Sequence, residues 1–321
     1  MLGRRLRPVA DHMAQPMSAD ARLDPEVLII GAGPAGLTAA TYFGRFLRRV
    51  LVADGGETRA DWIPLSHNMP GFPAGITGPH IVSRLRDQAE EYGAVIEAGC
   101  VESLTAEDGG FVAVLNGREL HVRAVLLATG VVDHHPNLPG VERAIQRALV
   151  RICPICDAYE ARDKSVAIIG HTDMGVREAA FMRTYSDRVT LIHVGPPEAL
   201  TERAALERLG VALVETSIDN VELDGDRVIA LGWGGRKAAF DLVYSALGTS
   251  PNASLADAIG ATTSDDGRMI VDDHQQTSVP GLYAAGDVVR GLNQIAVATA
   301  EAAVAATAIH NALREADGQT V

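Results

Sequence analysis

Cysteine is nearly absent: the 321 residues contain three, Cys100, Cys153 and Cys156. A fold stapled by several disulfides is therefore excluded, because at most one bridge can close with a thiol left over. Aromatic residues make up only 4%, too few for the stacking platforms that hold single-stranded nucleic acids. Basic tracts are missing too, and 28 lysines and arginines face 41 aspartates and glutamates, for a net charge of −13. A polyanionic backbone is a poor partner for such a surface. No run of eighteen apolar residues occurs, about what a bilayer-crossing helix needs. The nearest approach, 295–309, is broken by Thr299, Glu301 and Thr307 and reads as a buried helix of small residues. The first two dozen residues carry Arg4, Arg5, Arg7 and Arg22 without the apolar centre of a signal peptide. Residues 1–23 are expected to be a disordered extension, with Met13 and Met17 as alternative starts, and the protein to be cytoplasmic.

What the chain does contain is glycine, 32 residues of it, within a composition that is 47% apolar. With room for two cores, this suits an α/β protein with tight turns. A short apolar strand, 27–30, runs into Gly31-Ala32-Gly33-Pro34-Ala35-Gly36 and then a helical stretch to about Arg48. A second strand, 50–53, ends at Asp54, 23 positions after Gly31. Strand, glycine turn, helix, strand and acid in this order form a dinucleotide-binding unit. Gly31 permits the turn, Gly33 lets backbone meet a pyrophosphate, Gly36 lets helix and strand approach, and Asp54 accepts from a ribose hydroxyl. The helix start offers N–H groups and positive potential to the phosphates.

A second such unit begins at the strand 165–169, continues through a helix from Asp173 to Tyr185 and returns in the strand 189–193. Its turn is Gly170-His171-Thr172-Asp173-Met174-Gly175, and Thr172 stands where the middle glycine belongs. A side chain there obstructs a pyrophosphate, so the fold is expected without the usual phosphate site. Near the C-terminus, a strand over 281–287 ends at Gly286-Asp287, and a small-residue helix covers 294–312. An aspartate at such a strand end can hold a sugar or ribityl hydroxyl.

Between the two units lies Cys153-Pro154-Ile155-Cys156-Asp157. Half of a zinc site is the bland reading, but four ligands are needed. His171 stands alone at a suitable distance, His193 is too far beyond it, and the doublet His134-His135 has no companions. A redox pair is the stronger reading, with reactivity set by a lowered thiolate pKa. Cys100 closes an apolar stretch and is expected to be a buried core residue. No metal site is expected.

With these pieces in order, the chain from about Asp24 onward resembles the low-molecular-weight thioredoxin reductases, FAD proteins with two nested Rossmann-like domains of the three-layer ββα kind. Beyond the glycine turn and the cysteine pair, the resemblance rests on Asn68-Met69-Pro70-Gly71-Phe72-Pro73, Ala128-Thr129-Gly130, Thr277-Ser278-Val279-Pro280-Gly281, Gly286-Asp287-Val288 and Asn293-Gln294. It implies an FAD domain of residues 24–136 plus 249–321 and a middle domain of 137–248, with linkers at 136–140 and 248–251. It places FAD against Gly31, Gly33, Pro34, Ala35, Gly36, Asp54, Asn68, Ala128, Thr129, Gly130, Gly286, Asp287, Asn293, Gln294 and Ile295. It further implies a homodimer, Cys156 facing the flavin, Cys153 exchanging with substrate, and Asp157 as acid and base. A helix N-cap is the plainer role for Asp157.

The departures fall in the middle domain. NADPH-using members carry G-x-G-x-x-A, then His-Arg-Arg and a later arginine; here Val194-Gly195-Pro196-Pro197 follow His193, with no arginine until Arg203. A 2′-phosphate wants a guanidinium fork, and Asp173, if turned toward the phosphates, adds repulsion. Ordinary NADPH binding is therefore not expected. The leading expectation is a thioredoxin-disulfide reductase-like enzyme passing electrons between flavin, the Cys153–Cys156 disulfide and a thioredoxin-like partner, from a donor such as reduced ferredoxin. The alternatives are a dithiol oxidase passing electrons from a small dithiol through flavin to oxygen, and a non-enzymatic flavin-bound redox sensor.

Overall fold

The structure, a computed structural model, describes residues 25–136, 141–218, 220–224, 227–289 and 291–320. The expected N-terminal extension and residues 137–140 of the first linker lie outside these. Two five-stranded parallel sheets organise the rest. In the first, the order is Leu282–Ala284, Ala124–Leu127, Val27–Ile30, Val50–Asp54 and Val95–Ala98. In the second it is Ala212–Glu215, Val189–His193, Val166–Gly170, Leu242–Ala246 and Val150–Arg151.

Central parallel strands are covered on both faces, which is why 27–30 and 166–170 read as unbroken apolar runs. Side chains alternate between those faces. Val27 and Ile29 join the cluster under the helices Pro34–Arg45 and Ile295–Ala316, while Leu28 and Ile30 pack on Phe111, Ala113, Leu115 and Leu120 of an antiparallel sheet. The second sheet repeats this: Val166 and Ile168 face the helices Asp173–Met182 and Arg203–Leu209, and Ala167 and Ile169 face Ile145, Leu231 and Phe240. The three-layer ββα order is thus present twice. The chain passes from the first sheet to the second and back through a two-stranded antiparallel ribbon, Val131–Asp133 with Thr249–Pro251.

Several boundaries differ from the sequence reading. The first helix ends at Arg45, because Leu47 turns the chain at φ +60°. The helix from Asp173 stops at Met182. The strand expected over 281–287 is confined to Leu282–Ala284, and Gly286 then turns at φ +83°. Cys100 is exposed, contrary to expectation. It sits beyond Gly99 in the turn between Val95–Ala98, an edge strand, and Val101–Glu107, so no layer covers it. Ile295–Ala316 is, among the described residues, the one helix long and apolar enough to cross a bilayer. Its Ala302, Ala305 and Ala306 are fully buried, and such small side chains let it lie close to Pro34–Arg45.

Candidate functional site

The first glycine turn is built for close approach. Gly31 adopts φ +112°, and a Cβ there would stand 2.4 Å from the Ala128 carbonyl oxygen. A Cβ on Gly36 would stand 1.9 Å from the Gly31 oxygen, so the helix starts directly against the strand end. At Gly33 the space is empty, no side chain caps the helix, and the first turn holds no acid. Bare N–H groups and the positive end of the helix dipole are left to a ligand phosphate. This donor set fits the pyrophosphate of FAD.

From this turn an open cleft of about 1140 Å³ extends to the cysteines. Pro34, Ala35, Ala128, Gly130, Gly286 and Ile295 are among the residues that line it, with Gly286 packed beside Ala35. Thr129 turns its hydroxyl away, donating to the Asn252 carbonyl at 2.7 Å. Asp54 already accepts from the Gly56 N–H at 3.0 Å and from Arg86 at 2.5 Å. A ribose hydroxyl must therefore share an oxygen that has a second lone pair to offer. Asp287 accepts from Arg59 Nη1 at 2.9 Å, while Arg59 Nε and Nη2 fork onto Asp133 of the ribbon at 2.6 and 2.8 Å. Burial raises the Asp287 carboxyl above its ordinary range, with Arg59 working against it. Asn293 accepts from Arg268 at 3.1 Å.

Cys153 and Cys156 are joined in a disulfide, with Cα atoms 5.3 Å apart. Gln294 ties it to the first domain: its Nε2 lies 3.4 Å from Cys156 Sγ and 3.5 Å from Cys153 Sγ, and its Oε1 accepts from Asn68 at 2.9 Å. Residues 226 positions apart thus meet at the disulfide. Asp157 lines the same cleft. It makes no side-chain cap; its Oδ1 accepts from the Tyr244 hydroxyl at 2.7 Å, and Arg151 Nη1 stands 3.2 Å from Oδ2. Burial pushes the Asp157 carboxyl up, while Arg151 and Tyr244 pull it back. Trp62, at the end of the short helical turn Arg59–Trp62 after the second strand, packs on the apolar cluster of Ile145, Leu149 and Val150 against the second sheet.

The two glycine turns differ at the helix start. Thr172 is the N-cap, its Oγ1 accepting from the Met174 N–H at 3.3 Å. A Cβ on Gly195 would stand 2.1 Å from the His171 carbonyl oxygen, so the loop after Val189–His193 lies on the turn. Arg203 is committed to a two-pronged pair with Glu215. Asp173 does not point at the turn, as repulsion would have required; it accepts from the Thr201 hydroxyl and, at 3.0 Å, from the Glu202 N–H.

Sequence reasoning missed Arg59, Trp62, Arg151 and Tyr244. Arg151, two residues before Cys153, carried a positional hint; Tyr244, 87 residues from Asp157, carried none.

A family model described as pyridine nucleotide-disulphide oxidoreductase matches residues 25–302. A thioredoxin reductase of Mycolicibacterium smegmatis is 32% identical over 296 residues, covering 88% of this chain and 94% of that protein. One from Peptoclostridium acidaminophilum is 29% identical over 306 residues, covering 88% and 95%. The crystal structure of thioredoxin reductase from Streptococcus pyogenes superposes with a TM-score of 0.84 at 25% identity, over 91% of this chain and 98% of that one.

Proposed function

For a chain that belongs to the pyridine nucleotide-disulphide oxidoreductase family and is a flavin-dependent disulfide oxidoreductase, we propose exchange of electron pairs between FAD, the Cys153–Cys156 disulfide and a thioredoxin-like partner, fed by a donor other than NADPH such as a reduced ferredoxin. The Gly31–Gly36 turn and the start of the helix Pro34–Arg45 hold the pyrophosphate, with Asp287 toward the ribityl chain and Asn68, Asn293, Gln294 and Ile295 at the flavin end. FAD, when bound, supplies a two-electron store beside the disulfide. On resemblance, Cys156 faces the cofactor and Cys153 exchanges with the partner. Asp157 moves the proton that accompanies thiol formation. Homodimeric assembly, a cytoplasmic setting and the division into domains 24–136 plus 249–321 and 137–248 belong to this reading on resemblance.

One contrast carries the choice of donor: the first glycine turn leaves its helix start uncapped, and the second has its helix start capped by the Thr172 side chain. A dinucleotide needs bare backbone at both places. The test is an anaerobic titration of the flavoprotein followed by flavin absorbance. NADPH is expected to leave the absorbance unchanged, and reduced ferredoxin to bleach it. Bleaching by a single equivalent of NADPH overturns the reading.

A second reading, oxidation of a small dithiol with oxygen as the final acceptor, is favoured by the same capped second turn, because that flow needs no nicotinamide. Its signature in the same titration is bleaching by a dithiol and rapid recovery in air.

A further inference from the structure

The geometry assigns Arg151 and Tyr244 as positioning residues that hold the Asp157 carboxyl in the cleft it shares with the cysteine pair and govern its proton exchange. The inference rests on the reading of Asp157 as the pair's proton carrier.

Both residues are delivered by strand register. Val150–Arg151 pairs in parallel with Leu242–Ala246, placing Arg151 opposite Tyr244 at the edge of the second sheet. The short helix Pro154–Asp157 follows within three residues, so Asp157 returns over this pair of strands. Tyr244 is fully buried, and a buried phenol keeps its hydroxyl where that hydroxyl has a partner. Here the partner is Asp157 Oδ1, at 2.7 Å. Arg151 is pinned at both ends of its guanidinium: Nε donates to the Ala148 carbonyl at 3.2 Å and Nη1 to the Asp157 carbonyl at 2.9 Å. Asp157 is thus held through its backbone and through both carboxylate oxygens.

When a dithiol reduces the pair, one substrate sulfur attacks Cys153 Sγ. The substrate–Cys153 bond forms, the Cys153–Cys156 bond breaks, and Cys156 departs as a thiolate that takes a proton from Asp157. The second substrate sulfur then displaces Cys153 and closes the substrate disulfide. The first substrate thiol sheds its proton to solvent before attack, the second gives its proton to Asp157, and Cys153 leaves as a thiolate that takes a proton from solvent. Two electrons and, in net, two protons thus pass from substrate to cysteines.

The charged and titratable groups facing Asp157 are few. Burial raises its carboxyl most, Arg151 and Tyr244 lower it, and Glu160 raises it. The Tyr244 phenol is itself pushed up by burial and by Asp157, so it remains a donor throughout the working range. Glu178, on the adjoining helix Asp173–Met182, stays largely uncharged until about pH 8 because burial pushes it up to about 8.

The test measures the anaerobic rate of flavin reduction by dithiothreitol in the FAD-loaded protein, from about pH 5 to about pH 9, divided at each pH by the thiolate fraction of the dithiothreitol. Loss of the protonated acid then gives a normalised rate that falls as pH rises through its titration. Tyr244→Phe and Arg151→Met are expected to shift that fall to higher pH, and Arg151→Lys, which keeps the charge, to stay near the parent. A purely structural role lowers the rate at every pH without moving the midpoint, and that result in both variants overturns the inference. Asp157→Asn separates the two levels of the argument. If the fall persists in it, the proton-carrier reading of Asp157 itself fails. If the fall vanishes there yet is unmoved in Tyr244→Phe, the positioning role alone fails. Should Arg151→Met lose its flavin, the isosteric Tyr244→Phe decides.

Discussion

Replacing Glu178 by glutamine should change how stability depends on pH, by an amount the structure sets. Its Oε2 is buried on the helix Asp173–Met182 with no hydrogen-bond partner among the described residues. Burial lifts the carboxyl from an ordinary 4.5 to about 8. The sign follows from which state holds the proton. Between those two values the unfolded chain has lost it and the folded chain keeps it, so stability is full below about pH 4.5, declines as pH rises and levels off above about 8. The difference, 8 minus 4.5, is about 3.5 units, and at roughly 1.36 kcal/mol per unit it amounts to an upper limit of about 5 kcal/mol. About 1.7 of those units, or roughly 2 kcal/mol, fall between about pH 6 and about pH 8, where the folded carboxyl is half ionised. The assay is urea unfolding of parent and Glu178→Gln in excess FAD at those two pH values, followed by two optical probes. The variant should gain on the parent by up to roughly 2 kcal/mol on going to the higher pH. A gap that is the same at both pH values refutes the claim that this carboxyl is neutral in the folded protein.

Gly33→Ala should leave the apoprotein's melting temperature nearly unchanged, since a Cβ there meets nothing within 4 Å, while weakening FAD retention in a fluorescence titration. Gly36→Ala places a Cβ 1.9 Å from the Gly31 oxygen and should destabilise the apoprotein itself, so equal melting of the two variants contradicts the assignment of their roles. Trp62→Ala should cost roughly 1–3 kcal/mol, less than full burial of a Trp would imply because the ring is partly exposed. It should also speed amide exchange in the segment around Val141–Gln146 and Val150–Arg151; unchanged protection there means that Trp62 does not hold the middle domain in place.

Much of the fold was legible because the signals were local. Val27–Ile30, the glycine turn and Val50–Asp54 announce themselves within a window of under thirty residues, since strand burial, turn sterics and helix start are short-range properties. The cysteine pair was legible for the same reason. Element ends were less so: Leu47 and Gly286 stop their elements through backbone turns that propensity alone does not mark. Cys100 was misplaced because an apolar flank suggests burial, whereas exposure depends on which strand lies at the edge of the sheet.

The sequence by itself determined the chemistry available: one closable cysteine pair with an acid beside it, one intact phosphate turn, and one turn in which Thr172 replaces glycine. Only the tertiary structure decided how these parts meet. Parallel register brought Tyr244 and Arg151 under Asp157, and a contact across 141 residues brought Gln294 to Cys153. The Thr172 hydroxyl turned onto the Met174 N–H and capped the second helix start, which the missing glycine alone left undecided. The physical reason is one of range. Turn geometry and thiol chemistry are encoded over a few neighbouring residues, whereas a proton carrier's surroundings are assembled from strands and loops that only the folded sheets bring together.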